Sequence, residues 1–197
     1  MAVVVLAAGF SGRMGMLKAA LAFDDKTTFA EKIAQTFLDA GVGKVVFVLN
    51  SKGMNLLKKS SFLSKEKKVT FVLNPFPEKE RFFSVKTGMK KLTGFQAVFL
   101  HNVDNPFVCK TTISKLTNCL QPDSFVIPRY AGRGGHPILL SQKIVRDLAF
   151  SREETINLRV FLSKYSPVFC PVHDEQIRVN INTAEEYARY FGRFPRL

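Results

Sequence analysis

Val3, Val4, Val5 and Leu6 run directly into a loop punctuated by Gly9, Gly12 and Gly15 and carrying Arg13 and Lys18. No other stretch restricts the fold so strongly. A short β-branched run without polar alternation suits a central strand of a parallel sheet, buried on both faces. The glycines that follow permit backbone conformations closed to other residues and let amide N–H groups approach an anion. Arg13 and Lys18 add two cations at a spacing that lets both reach one phosphate chain. A P-loop would place Lys-Ser or Lys-Thr after a glycine, and a dinucleotide fingerprint would read Gly-x-Gly-x-x-Gly; this loop has neither form. On these residues alone, a phosphate cradle and a structural turn joining strand to helix both stay open.

The rest of the chain alternates strand and helix signals. Thr28 with Glu31 three residues on forms a capping-box pattern, and Phe29, Ile33 and Phe37 with Ala30, Ala34 and Leu38 recur at helical spacing until Gly41. Residues 45–49 read as a second strand and residues 53–68 as a basic helix and loop. Residues 69–73 read as a third strand, stopped by Asn74-Pro75, and residues 97–100 as a fourth. Residues 111–120 look helical, residues 125–127, 138–140, 168–170 and 178–181 look extended, and residues 184–190 read as a closing helix. This order predicts one three-layer, Rossmann-like α/β/α domain over residues 1–197, with a mostly parallel sheet. Ligands in such sheets bind beyond the carboxyl ends of the strands. Residues 9–18, residues 101–106 and residues 74–88 all lie at such ends and are expected to converge.

Leu6-Ala7-Ala8-Gly9-Phe10-Ser11-Gly12-Arg13-Met14-Gly15-Met16-Leu17-Lys18 resembles, without a gap, the signature Leu-Ala-Ala-Gly-x-Ser-x-Arg-Met-Gly-x-x-Lys of the MobA-like nucleotidyltransferases. That family contains the molybdenum cofactor cytidylyl- and guanylyltransferases and has the nucleotide-diphospho-sugar transferase type of fold. The resemblance implies that residues 6–9, Ser11, Gly12 and Gly15 wrap a triphosphate whose phosphates Arg13 and Lys18 contact. Ala7-Ala8-Gly9 looks more like the cytidylyl branch.

Further segments follow in family order. His101-Asn102-Val103-Asp104-Asn105-Pro106 resembles the segment ending Asp-x-Pro, whose aspartate coordinates the metal, so Asp104 is the expected Mg²⁺ ligand. A strand-end carboxylate facing a phosphate loop suits that ion, which takes carboxylate and phosphate oxygens; a turn aspartate capping the next helix is the alternative. Asn180-Ile181-Asn182-Thr183 resembles the closing motif, in an asparagine form commoner in the guanylyl branch. Asn182 is either a second, neutral metal ligand, or it or Thr183 caps the last helix. Residues 130–137 resemble the cytidylyl-branch segment Tyr-x-Gly-x-x-Gly-His-Pro on the acceptor side, where Arg129, Arg133 and His136 could hold the acceptor's phosphate or form only a hairpin loop. Asn74, Ser84 and Gly88 match a nucleotide-binding segment, with Arg81 where that segment carries glycine.

The implied reaction is Mg²⁺-dependent transfer of a nucleoside monophosphate to a phosphorylated acceptor, with CTP and molybdopterin first and GTP as rival. A sugar- or alcohol-phosphate nucleotidyltransferase is the related alternative, and a non-catalytic nucleotide- or RNA-binding protein the alternative from another class.

Composition narrows the partners. The formal charge of +13 suits either nucleic acid or a strongly anionic small molecule. No RNA-recognition, helix-turn-helix or zinc-finger pattern accompanies it, so the small molecule is expected. Cys109, Cys119 and Cys170 lack Cys-x-x-Cys spacing, and core thiols are expected rather than a disulfide or metal site. His101, His136 and His173 form no His-x-x-x-His pair. No apolar run is long enough to cross a bilayer, and the brief N-terminal apolar stretch lacks a charged leader, so a cytoplasmic location is expected.

Overall fold

The apolar run that opens the chain becomes β1 (Ala2–Ala7), almost fully enclosed. A computed structural model describes residues 1–9, 14–76, 78–153 and 156–195. β1 pairs in parallel with β2 (Lys44–Leu49) on one side, Val4 opposite Val46, and with β4 (Ala97–Asn102) on the other, Val4 opposite Leu100. β3 (Val69–Leu73) extends the sheet beyond β2, again in parallel. Beyond β4 the sheet changes character. β7 (Ile138–Ser141) is antiparallel to β4, and β5 (Ser124–Tyr130) is antiparallel to β7. β5 carries a hairpin to β6 (Arg133–Gly134) and pairs in parallel with β8 (Ser166–Pro171).

Alternation along β1 sorts its side chains to two cores. Val3, Val5 and Ala7 meet α1 (Phe29–Asp39) and α4 (Lys110–Asn118) through Phe37 and Leu116. Ala2 and Val4 meet α3 (Glu80–Met89) and α5 (Gln142–Phe150) through Val85, Met89 and Leu148. The three-layer architecture is the expected one. The capping box also forms: Thr28 Oγ1 accepts from the Glu31 amide, and Glu31 accepts from the Thr28 amide at 2.8 Å.

A third, smaller core holds Met14, Leu21, Phe29, Ile181 and Tyr187. It docks α7 (Ala184–Phe191) against the chain leaving the N-terminal loop, with Tyr187 and Phe191 stacked at 4.6 Å and the Tyr187 hydroxyl donating to the Ala22 carbonyl. This core explains one departure from the sequence reading. Residues 178–181 do not form a strand. A 3-10 turn at Glu175–Arg178 takes in the first of them, and the Ile181 amide donates to the Asp104 carbonyl at 2.7 Å. Their apolar alternation serves the small core, not a ladder.

Residues 53–68 also differ: α2 (Ser51–Leu57) starts earlier, on an Asn50 cap, and the rest is turns. α5 and α6 (Leu158–Leu162) are two helices that the sequence reading does not anticipate.

The cysteines require a correction. Cys119 and Cys170 are joined as a disulfide, Cα to Cα 6.2 Å, and only Cys109 is a free thiol. They stand 51 residues apart, and the folding of the chain past α4 onto β8 brings them together. Among the described residues, no helix is long and apolar enough to cross a membrane.

Candidate functional site

β1 leads to β2 on one side, whereas its other neighbour, β4, arrives by crossing over from β3. Crossovers that leave a strand in opposite directions open a crevice at its carboxyl end. A cavity of about 300 Å³ lies there, lined by Leu6, Ala7, Ala8 and Gly9 from the end of β1, Lys18, Ser84 from α3, and Asn102 and Asp104 from the end of β4. The three segments expected to converge do so. Ser11, Gly12 and Arg13 lie outside the described residues. Gly15 has φ +69°, a left-handed conformation that only glycine adopts without strain, so it shapes the return of the loop.

Lys18 ties distant parts of the chain together. Its ammonium donates to Asn182 Oδ1 at 2.7 Å and to Asp104 Oδ2 at 3.3 Å. Asn182 is free for this because Thr183, not Asn182, caps α7: the Thr183 hydroxyl accepts from the Glu186 amide, and Glu186 accepts from the Asn182 and Thr183 amides. Asp104 does not cap α4, whose N-cap is Cys109.

Asp104 Oδ1 is buried and has no hydrogen-bond partner among the described residues. A desolvated carboxylate oxygen without a donor is costly, and a divalent cation is one partner that meets that need. Asp104 and Asn182 present hard oxygen donors of the kind Mg²⁺ or Mn²⁺ takes, so the residues fit a divalent ion shared with substrate phosphates.

Two carried-over residues act from behind the cavity. Asn74 is buried, donates to Ser84 Oγ at 2.9 Å and accepts from the Phe76 amide, so it sets the serine rather than lining the cavity itself. Gly88 is a packing residue: a Cβ there would come within 2.6 Å of Val4 Cγ1 and 2.9 Å of Val48 Cγ2. Its absence of a side chain seats α3 on the sheet, and it does not line the cavity.

His136 stands one step away. Its Nε2 accepts from Asn102 Nδ2 at 3.1 Å, and the ring lines a second, larger cavity of about 830 Å³ between β5, β7 and α6. Burial lowers its pKa to about 4, assisted by the Arg81 charge and opposed by Asp104. His101 is enclosed in the core beside Phe37, and burial, with the His136 charge, pushes it down to about 3. Both are neutral near pH 7. Of the basic residues of the hairpin, Arg129 is engaged locally, donating to the Gly132 carbonyl and lying over Phe169.

Sequence reading missed three positioning asparagines. Asn50 donates to the Ala8 carbonyl at 3.1 Å while its oxygen caps α2, which fixes the end of β1 against that helix. Asn102 links the two cavities through His136. Asn105 donates to the Ile177 carbonyl, holding the turn before α7 in place. Each stands just after a strand or at its end, which is the only signal the sequence offers.

Residues 3–168 match the family model for the MobA-like NTP transferase domain. The chain belongs to that family. It is a nucleotidyltransferase, a class acting on a nucleoside triphosphate and a small-molecule acceptor with a divalent metal. The molybdenum cofactor cytidylyltransferase of Escherichia coli K12 is 23% identical over 184 residues, which cover 93% of this chain and 92% of that protein. Among solved structures, Rv0371c of Mycobacterium tuberculosis H37Rv superposes with a TM-score of 0.79 at 21% identity over 98% of both chains. A manganese complex of Rv0371c gives 0.75 at 20% identity over 97% of each. Molybdopterin-guanine dinucleotide biosynthesis protein A of Archaeoglobus fulgidus gives 0.67 at 20% identity over 96% of each.

Proposed function

We propose that this MobA-like transferase moves CMP from CTP to the phosphate of the molybdopterin cofactor in the presence of Mg²⁺. The reading rests above all on Lys18, Asp104 and Asn182 meeting beside the cavity at the end of β1. The cytidylyl choice is supported by Ala7-Ala8-Gly9 and by the E. coli relative's name. GTP is the second reading, favoured by the Asn180-x-Asn182-Thr183 form and by the guanylyl name of the A. fulgidus neighbour.

In the proposed reaction the acceptor's phosphate oxygen attacks the α-phosphorus in line. A new P–O–P linkage forms, the bond between the α- and β-phosphates breaks, and pyrophosphate leaves. The nucleophile is already ionised at neutral pH, so no side chain need remove a proton. The amides at the end of β1 and the Lys18 ammonium would hold the β- and γ-phosphates and stabilise the charge that develops on the leaving group. Arg13 would join them by its place in the motif. Asp104 and Asn182 would hold Mg²⁺, which supplies charge neutralisation to the phosphates when bound. Ser84, set by Asn74, would orient the nucleotide, and positioning contributes much of the rate in such reactions.

The test is pyrophosphate release with CTP, GTP, UTP and ATP, each against molybdopterin and a set of sugar phosphates, with Mg²⁺ present. CTP with molybdopterin should give the highest rate. A higher rate with GTP would transfer the reading to guanylyl transfer, and release with none of the pairs would sink it.

A further inference from the structure

Arg81 is the one described residue that lines both the cavity at the end of β1 and the larger cavity beside β5. It stands in the first turn of α3, at a position where the related segment carries glycine, and it has no hydrogen bond or ion pair with any described residue. Of the other cations at the two cavities, Lys18 is committed to Asp104 and Asn182, and Arg159 lines the larger cavity alone, so Arg81 is the cation shared by both. The residue as a whole is exposed, yet desolvation of the guanidinium lowers its pKa and the Asp104 carboxylate raises it again, so the charge acts on the site at the end of β4.

Beyond Arg81 the larger cavity is walled mainly by apolar and aromatic side chains such as Phe82 and Phe125, with His136, Asn157, Arg159 and Ser163 as the polar minority. Such a wall offers few partners for the ring of hydroxyls on a hexose, whose burial without partners is costly. It suits a flat or apolar body. A guanidinium at its inner end, unpaired among the described residues, suits a phosphate, which arginine grips with two parallel N–H donors.

We propose that Arg81 seats the phosphate of the acceptor at the junction of the two cavities, and that the acceptor is a phosphate monoester on an aromatic or other apolar body rather than a sugar phosphate. This rests on the transferase reading above and narrows its acceptor. Arg81 delivers the attacking oxygen next to the α-phosphorus. The bonds made and broken are those of the transfer already described, and no further reactant is needed.

The experiment compares the wild type with Arg81→Met, which keeps the apolar stem and the helix, and with Arg81→Lys. Thermal denaturation first checks that each variant is folded. In pyrophosphate-release assays with the best acceptor, Arg81→Met should raise the acceptor KM at least tenfold and leave the nucleotide KM within twofold, with Arg81→Lys recovering part of the loss. Equal effects on both substrates, or none, would overturn the assignment.

Independently of turnover, calorimetric titration without nucleotide should show 1-naphthyl phosphate binding at least tenfold more tightly than glucose 1-phosphate. Arg81→Met should weaken binding of the aryl ester at least tenfold. Tighter binding of glucose 1-phosphate, or unchanged binding by Arg81→Met, would overturn the proposal. If the wild type transfers nucleotide to no acceptor, the functional reading fails, while the titration still decides whether Arg81 is a phosphate seat.

Discussion

On one side of the cleft the walls are the carboxyl ends of two adjacent parallel strands, β1 and β4, with Lys18, Asp104 and Asn182 cross-linked within a few ångströms. On the other side the sheet turns antiparallel at β7, the cavity is more than twice as large, and its lining is mostly apolar, with Arg81, unpaired among the described residues, at the inner edge. The first side is a fixed polar arrangement, held from behind by Asn50 and by the small aromatic core under α7. The second depends on shape. Charge chemistry common to every nucleoside triphosphate can be built from strand ends and a loop, whereas discrimination among acceptors needs a surface, and a surface draws on many elements at once.

The largest expected effect breaks the first side alone. Asp104→Ala removes the proposed metal carboxylate and Lys18's charged partner, and should cut pyrophosphate release by about 10³-fold, the order seen when a preorganised electrostatic contact is lost. The melting temperature should change little. A variant that turns over normally would remove Asp104 from the reaction centre.

Next comes acidity, which acts on the seam between the sides. His136 and His101 have folded pKa values of about 4 and about 3, below the ordinary 6.5. Below pH 6.5 the unfolded chain therefore binds protons that the folded chain does not. The stabilisation is complete above about pH 6.5 and is lost as pH falls toward 4 and then 3, with roughly 3 kcal/mol at stake for His136. Chemical denaturation at pH 7.5, 6 and 5 should show midpoints that fall with pH, and His136→Gln should flatten the trend.

Two glycines separate scaffold from surface. Gly88→Ala drives a methyl into Val4 and Val48 and should cost about 1–3 kcal/mol of stability, with both KM values unchanged. Gly135→Ala drives one into the backbone of Ile177, whose carbonyl accepts from the amides of His136 and Asn105. It should cost a similar amount but also raise the acceptor KM. Denaturation and steady-state kinetics on both variants would expose any failure of that split.

The smallest effect is expected at Thr183→Ala. Losing this cap should destabilise by about 1 kcal/mol. The Asn182 amide keeps its bond to Glu186, so Lys18 should keep its acceptor and kcat should fall less than twofold. A large kcat loss would mean that the cap, rather than Glu186, fixes Asn182.

Local patterns in this chain were legible in proportion to how locally their causes act. The β1 run and its glycine loop, the Thr28–Glu31 capping box and the strand-end position of Asp104 each depend on a few neighbouring residues. The strand expected at residues 178–181 was misread because Val179 and Ile181 do alternate, yet their apolar faces are absorbed by Phe29 and Tyr187 from distant segments. Gly88 was read as a ligand contact because its motif carries no information about which surface lies against it. Arg81 could be noticed in the sequence as a departure, but nothing near it in the chain says that two cavities meet there.

The linear order of residues was enough to dictate a parallel α/β sheet with an anion loop at the end of its first strand, because strand burial, helix capping and glycine freedom are properties of short segments. Folding in three dimensions decided the rest: that Lys18 joins Asp104 to Asn182 across 86 and 164 positions, that Cys119 meets Cys170, and that Arg81 stands where the cavities join. Those outcomes follow from the packing of whole elements against one another, and no window along the chain contains the two partners of any such contact.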